Sequence, residues 1–167
     1  MTNKVKNKRV KEKIMGKQLF WILGGIALLA GGAFWVQQPA VATELVVYKS
    51  PSCGCCTEWV KHMRNNGFTV KVHDRNDVSP IKKQAGVPRN LQSCHTAKVG
   101  DYVIEGHVPA SDVKRLLKEK PNVIGLTAPG MPHGSPGMDM GPRKDPYDVL
   151  TFTHSGKTSV FSSYNQR

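Results

Sequence analysis

Three of the four cysteines fall in Cys53-Gly54-Cys55-Cys56, between an apolar strand-like run, Leu45-Val46-Val47-Tyr48, and a helix-like run beginning near Thr57. Sulfur is thereby placed at the mouth of a β-to-α turn. The free N–H groups and positive dipole end of a helix N-terminus help thiols lose their protons, which makes them nucleophiles or metal ligands. Cys53 and Cys56 have C-x-x-C spacing and Cys53 and Cys55 have C-x-C spacing, so one tetrapeptide satisfies both a redox motif and a soft-metal chelate. As a redox pair, Cys53 would attack and Cys56 resolve. A third thiolate, Cys55, adds negative charge that a bound cation would relieve.

Further donors lie downstream. Cys94-His95 and His107 flank a pair of short strands, and the stretch from Pro129 to Pro142 carries Met131, Met138 and Met140, three of the six methionines, among glycines and prolines. Thiolate and thioether donors select Cu(I), whereas oxygen donors select Mg or Ca. Methionine is not an ordinary zinc ligand, and Cys94 stands too far from the first motif for a paired zinc-ribbon spacing. Copper binding leads, with metal-free dithiol redox and structural zinc or disulfides as alternatives. Adjacent Cα atoms are about 3.8 Å apart, below the usual disulfide span of roughly 4.4 Å or more, so a relaxed Cys55–Cys56 bridge is not expected.

The elements that must position these groups can be read from periodicity and breakers. A strand is expected over Glu44–Tyr48, and a helix over 56–65 with Trp59, Val60 and Met63 on one face, stopped by Asn65-Asn66-Gly67. A second strand follows at Phe68–His73. A weaker helix spans Asn76–Ala85, with Asp77 as its cap and Pro80 near its start. Strands at Ala97–Val99 and Tyr102–Glu105 flank Gly100-Asp101, a two-residue hairpin signal. A third helix covers Pro109–Lys120, and Tyr147–Thr153 with Thr158–Phe161 form a terminal hairpin. The fold class is α/β, a thioredoxin-like β-α-β-α-β-β-α domain with a Gly/Pro/Met-rich loop and a C-terminal hairpin.

That order carries a spatial consequence. Strands one and two, joined by a helix, run parallel, whereas a hairpin makes strands three and four antiparallel. If strand three opposes strand one, its start and the end of strand four both lie at the carboxyl end of strand one. Cys94, His95 and His107 then converge on the cysteine turn. Met63 reads as core, and His62, His73 and His154 as surface or packing residues. His133 lies in a polar stretch with a ligand role as one alternative.

The amino terminus differs in kind from the rest of the chain. Residues Lys4, Lys6, Lys8, Arg9, Lys11, Lys13 and Lys17 stand against Glu12, followed by an uncharged stretch from Leu19 to Val36 and the small-x-small triplet Ala40-Val41-Ala42. This is the form of an export signal, either cleaved after Ala42 or kept as an amino-terminal membrane anchor. Residues 1–42 are thus a signal or anchor, and 43–167 one domain with its own core. The leader supplies roughly half of the formal net charge of +12. The other basic residues are scattered without interleaved aromatics, which argues against nucleic-acid binding.

Tyr48-Lys49-Ser50-Pro51-Ser52-Cys53-Gly54-Cys55-Cys56, Ser93-Cys94-His95-Thr96, Glu105-Gly106-His107-Val108-Pro109-Ala110, and Gly130-Met131-Pro132 through Gly134-Ser135-Pro136-Gly137-Met138 together resemble the predicted metal-binding proteins that include the CopG-type copper-resistance proteins. The resemblance runs in order over nearly all of residues 44–161. It implies an exported, periplasmic thioredoxin-like domain that binds copper through its cysteines and serves copper tolerance, with a change of copper oxidation state as one route. Carried over by position, Cys53, Cys55, Cys56 and Cys94 match the family's cysteines, and His107 and the methionine loop match its other features. The combined expectation is Cu(I), one or several ions, held by the four cysteines, with His107 or His95 and Met138 or Met131 completing the coordination. The implied partners are copper ions and other copper-handling proteins, with membrane contact only through an uncleaved leader. A thiol-disulfide oxidoreductase using Cys53 and Cys56 is the rival reading, and a copper carrier or store the third.

Overall fold

Leu45, Val47 and Lys49 alternate inward along strand β1 (Glu44–Lys49), the period of a half-covered strand. The structure, a computed structural model, describes residues 43–139 and 141–166. The leader and Met140 lie outside the described residues. Among the described residues no helix is long and apolar enough to cross a membrane.

Helix α1 (Gly54–Asn65) follows at once, with Cys53 as its N-cap residue and Cys56, Trp59, Val60 and Met63 on its buried face. It starts two residues earlier than expected, which puts Cys55 and Cys56 inside the first turn. Next come β2 (Thr69–Asp74) and α2 (Ser79–Gln84). The second helix is shorter than the expected 76–85. Asp77 acts one step before the N-cap residue Val78, its carboxylate accepting the Ser79 N–H at 2.8 Å. After a single 3-10 turn come β3 (Thr96–Val99), β4 (Tyr102–Gly106) and α3 (Ala110–Glu119). Pro109 is the N-cap of α3 rather than its first helical residue. His62 of α1 completes that start by accepting the Ala110 N–H at 3.1 Å.

Strand β5 (Gly125–Ala128) has no counterpart in the sequence reading. All four of its residues are buried, so it shows no alternation, and it is short and opens with glycine. The chain ends in the hairpin β6 (Tyr147–Phe152) and β7 (Thr158–Tyr164), the latter running past the expected Phe161. The seven strands among the described residues form one mixed sheet in the order β2-β1-β3-β4-β5-β6-β7. The fold is mixed α/β.

Alternation assigns each sheet face a different core. Ile104 and Ala97 join Leu45, Val47, Trp59, Met63, Val113 and Leu116 beneath α1 and α3, whereas Val103 and Phe152 join Val87, Leu91 and Ile124 on the other face. Strand directions create the corner that matters. β1 is parallel to β2, and β3 is antiparallel to both β1 and β4. Tyr48 pairs with Thr96, and Thr96 with Glu105. The end of β1, the start of β3 and the end of β4 therefore share one sheet edge, as the strand order requires.

Candidate metal centre

Cys53 and Cys56 are joined as a disulfide, while Cys55 and Cys94 are free thiols. The sulfurs of all four cysteines lie within 4.8 Å of one another. Cys53 Sγ and Cys55 Sγ are 3.5 Å apart. A disulfide sulfur carries no charge to offer a metal. In the oxidised form the sulfurs left to bind a metal are those of Cys55 and Cys94, and reduction adds two more. Cys56 is fully buried beneath the first turn of α1, whereas Cys53, Cys55 and Cys94 are half-buried. Cys55 opens on a surface groove of about 630 Å³ between α1 and the methionine loop, which gives a solute a way in.

The second cluster is built on Cys94. Cys94 Sγ lies 3.0 Å from His107 Nε2 and 3.4 Å from His95 Nδ1, and the three form a group able to hold a metal. The tautomer of His107 follows from its other nitrogen. Nδ1 is 2.8 Å from the Pro136 carbonyl, which can only accept, so Nδ1 carries the proton and Nε2 presents a lone pair to Cys94. Burial first, and then the negative charge of nearby Cys55, push the Cys94 thiol up to about 11. Its proton therefore sits between Cys94 and His107 Nε2, and a metal entering this corner displaces it.

His95 is fully buried. Its ring packs against Trp59 at 4.4 Å and edge-on against His107 at 5.0 Å. Its Nε2 has no hydrogen-bond partner, and its Nδ1 faces Cys94. Burial holds His95 well below the ordinary imidazole value, and repulsion from His107 when that ring takes up a proton, and from Lys82, adds to the effect. Burial also lowers His107, partly offset by the Pro136 carbonyl. For both imidazoles the unfolded chain binds the proton more readily. Stability is complete above pH 6.5, near the unfolded value, and falls as pH drops below it toward the folded values. The metal-free protein is expected to lose stability progressively as pH falls below about 6.5. Urea midpoints across that range check this, and a midpoint independent of pH would contradict neutral, buried rings.

The methionine loop reaches the corner through its backbone. Pro136 holds His107, and Ser93 Oγ donates to the Gly130 carbonyl. Gly137 has φ +82°, and a Cβ there would stand 2.6 Å from the Cys55 carbonyl oxygen and 2.7 Å from Trp59 N. Only glycine lets the loop lie this close to the first turn of α1. Met138 is buried beside it, whereas Met131 is 54 % exposed. His133 belongs elsewhere, its backbone N–H on Asp145 Oδ2 at 3.3 Å. His62 caps α3, His73 stacks on Tyr48, and Trp59 anchors α1 to the sheet while its Nε1 donates to the Val108 carbonyl at 2.9 Å.

The sequence reading missed the supports of Cys94. Buried Lys82, Thr96 and Glu105 and half-buried Ser93 form a hydrogen-bonded group next to it. The available signal was a carboxylate, Glu105, on a strand whose other residues are apolar or small.

The family described as a protein of unknown function, DUF411, matches residues 91–138. That span holds Cys94, His95, His107, Met131 and Met138. Two solved structures of copper resistance protein copG are also similar, each at 43% identity. Form 1 has a TM-score of 0.71, with 75% of this chain and 99% of that chain covered. Form 2 has a TM-score of 0.70, with 73% and 98% covered. Among curated proteins there is no match.

Proposed function

The chain belongs to the CopG family of copper resistance proteins, and on that premise we propose that it is an exported protein that holds Cu(I) in a site made by Cys53, Cys55, Cys56 and Cys94. One observation carries this reading. Four sulfurs from two distant segments lie within 4.8 Å of one another, beside the Nε2 lone pair of His107. Soft, crowded sulfur with an imidazole suits Cu(I) better than a harder ion. Four sulfurs able to bridge are enough for more than one ion. His107 or His95, and a thioether from Met138 or Met131, complete the coordination. The protein contributes to copper resistance by taking copper out of circulation.

The strand order β2-β1-β3-β4 with β3 reversed, and a C-x-x-C pair at the start of the first helix, support reading this part of the chain as thioredoxin-like. On that reading the pair also supplies electrons. Two Cu(II) ions accept one electron each from the Cys53 and Cys56 thiols, giving two Cu(I), one disulfide and two protons. Cys55, Cys94 and His107 keep hold of the reduced metal. Residues 1–42 direct the chain to the periplasm and are either cleaved after Ala42 or retained as an inner-membrane anchor. Other copper-handling proteins are its exchange partners.

The Cys53–Cys56 disulfide, with Cys56 buried, favours one second reading, a thiol-disulfide oxidoreductase of exported proteins. Anaerobic addition of Cu(II) to the fully reduced protein tests the redox step. Loss of two thiols, mapped to Cys53 and Cys56, as two Cu(I) appear is the expected result. Copper uptake with all four thiols retained would leave a carrier or store in its place.

A further inference from the structure

On the sheet face covered by α2, next to the cysteine corner, lies an ion pair that copper binding does not itself require. Lys82 is 4 % and Glu105 0 % exposed. The Lys82 ammonium donates to Glu105 Oε1 at 2.5 Å and to Thr96 Oγ1 at 3.0 Å, and Thr96 Oγ1 donates to Glu105 Oε2 at 2.7 Å. Lys82 is the buried residue of α2. A short helix thus directs a lysine, not an apolar side chain, into the protein. Buried pairs of this kind are often no more stable than apolar side chains of similar size, so stability alone does not explain the arrangement.

The last partner of the carboxylate does. Glu105 Oε1 also accepts the Ser93 N–H at 2.7 Å, and Ser93 immediately precedes Cys94. Ser93 is held on two further sides. It packs on Gly106, where a Cβ would stand 2.5 Å from Ser93 Cβ, and its hydroxyl donates to the Gly130 carbonyl at the head of the methionine loop. On the far side of Cys94, the His95 carbonyl accepts the Gly106 N–H at 3.0 Å. Cys94 is therefore clamped between two backbone hydrogen bonds to adjacent residues of β4, one of them to a charged acceptor. Bonds to charged groups are the stronger kind.

We propose that Lys82, Glu105 and Ser93 form a positioning network that sets Cys94 against the Cys53–Cys56 turn and ties the methionine loop to the same support. Lys82 fixes the carboxylate, the carboxylate fixes the Ser93 backbone, and the Ser93 hydroxyl fixes the loop. None of the three touches the metal. The inference rests on the proposed copper site only for its effect on metal affinity, and its effect on Cys94 is read without metal.

The test is the alkylation rate of each cysteine, followed by mass spectrometry, in the reduced, metal-free protein. Lys82→Met/Glu105→Leu replaces the pair by apolar groups of similar size and removes the acceptor for Ser93. Cys94 is expected to react about tenfold faster, as losing a hydrogen bond to a charged acceptor frees the segment, while the Cys55 rate stays at its wild-type value. If the double variant does not fold, Glu105→Gln keeps the shape and should give a smaller rise with the same selectivity for Cys94. Ser93→Ala keeps the backbone bond, and should shift the Met131 methyl resonance while leaving Cys94 slow. A Cys94 rate unchanged by removal of the pair would overturn the proposal, as would equal acceleration of Cys55 and Cys94, the mark of general loosening. Selective acceleration of Cys94 in a protein that binds no Cu(I) would sink the copper reading and leave the network standing.

Discussion

Replacing Cys94 by serine is expected to remove Cu(I) binding as thoroughly as replacing Cys53. Cys94 reaches the cluster only because β3 runs antiparallel to β1, and it belongs to both ligand groups, the four sulfurs and the Cys94–His95–His107 set. Its loss takes one sulfur from both groups and separates the imidazoles from the remaining thiols. Losing a mere outer partner of a metal site weakens binding by about 10- to 100-fold, so loss of this sulfur should exceed that range. The oxidoreductase reading expects something else. There, Cys53→Ser abolishes disulfide exchange and Cys94→Ser scarcely matters. Competition titrations of both variants against a Cu(I) chelator, with a disulfide-exchange assay alongside, separate the two.

The second large effect is expected at Gly137. An alanine there meets the Cys55 carbonyl oxygen and Trp59 N, backbone atoms that cannot swing aside, at a φ of +82°. Left-handed backbone strain costs on the order of 1–3 kcal/mol, and exposing the buried Met138 side chain adds about 2 kcal/mol. The loop relieves the clash by lifting away from α1, which takes the Pro136 carbonyl from His107 and frees that ring to turn. Gly137→Ala should therefore lose about 3–5 kcal/mol in denaturant unfolding, shift the Met138 methyl resonance and bind Cu(I) less tightly. Gly54→Ala is the control. Nothing lies within 4 Å of a Cβ at Gly54, and alanine suits a helix better than glycine. A Gly137→Ala protein with the stability and Met138 resonance of the wild type would show that the loop is not seated on the helix.

Much of the corner could be foreseen because it depends on strand direction, which connection length reveals. A helix between β1 and β2 requires them to be parallel, and Gly100-Asp101 requires β3 and β4 to be antiparallel. Those two steps bring Cys94, His95 and His107 to the end of β1 on the condition that β3 opposes β1, as it does. Helix starts were less legible. Gly54 read as part of a turn, yet α1 begins with it and takes Cys55 and Cys56 into its first turn. Strand β5 gave no signal, because a four-residue strand buried throughout has no polar face to set its period. The loop's composition pointed to thioether donors, but its path is fixed by Gly137 and by the Pro136 carbonyl, and neither can be told from other glycines and prolines without coordinates. Lys82 and Glu105 were hidden for a related reason. A lysine on a short helix and a glutamate on a strand become partners only when α2 folds across the sheet.

The most direct test is anaerobic Cu(I) titration of the reduced protein against a strong chelator, with thiol protection read cysteine by cysteine in the mass spectrometer. Bound copper and simultaneous protection of Cys53, Cys55, Cys56 and Cys94 from alkylation are expected. A protein that yields all its copper to the chelator, or one that binds copper while Cys94 alkylates freely, would contradict a shared sulfur centre.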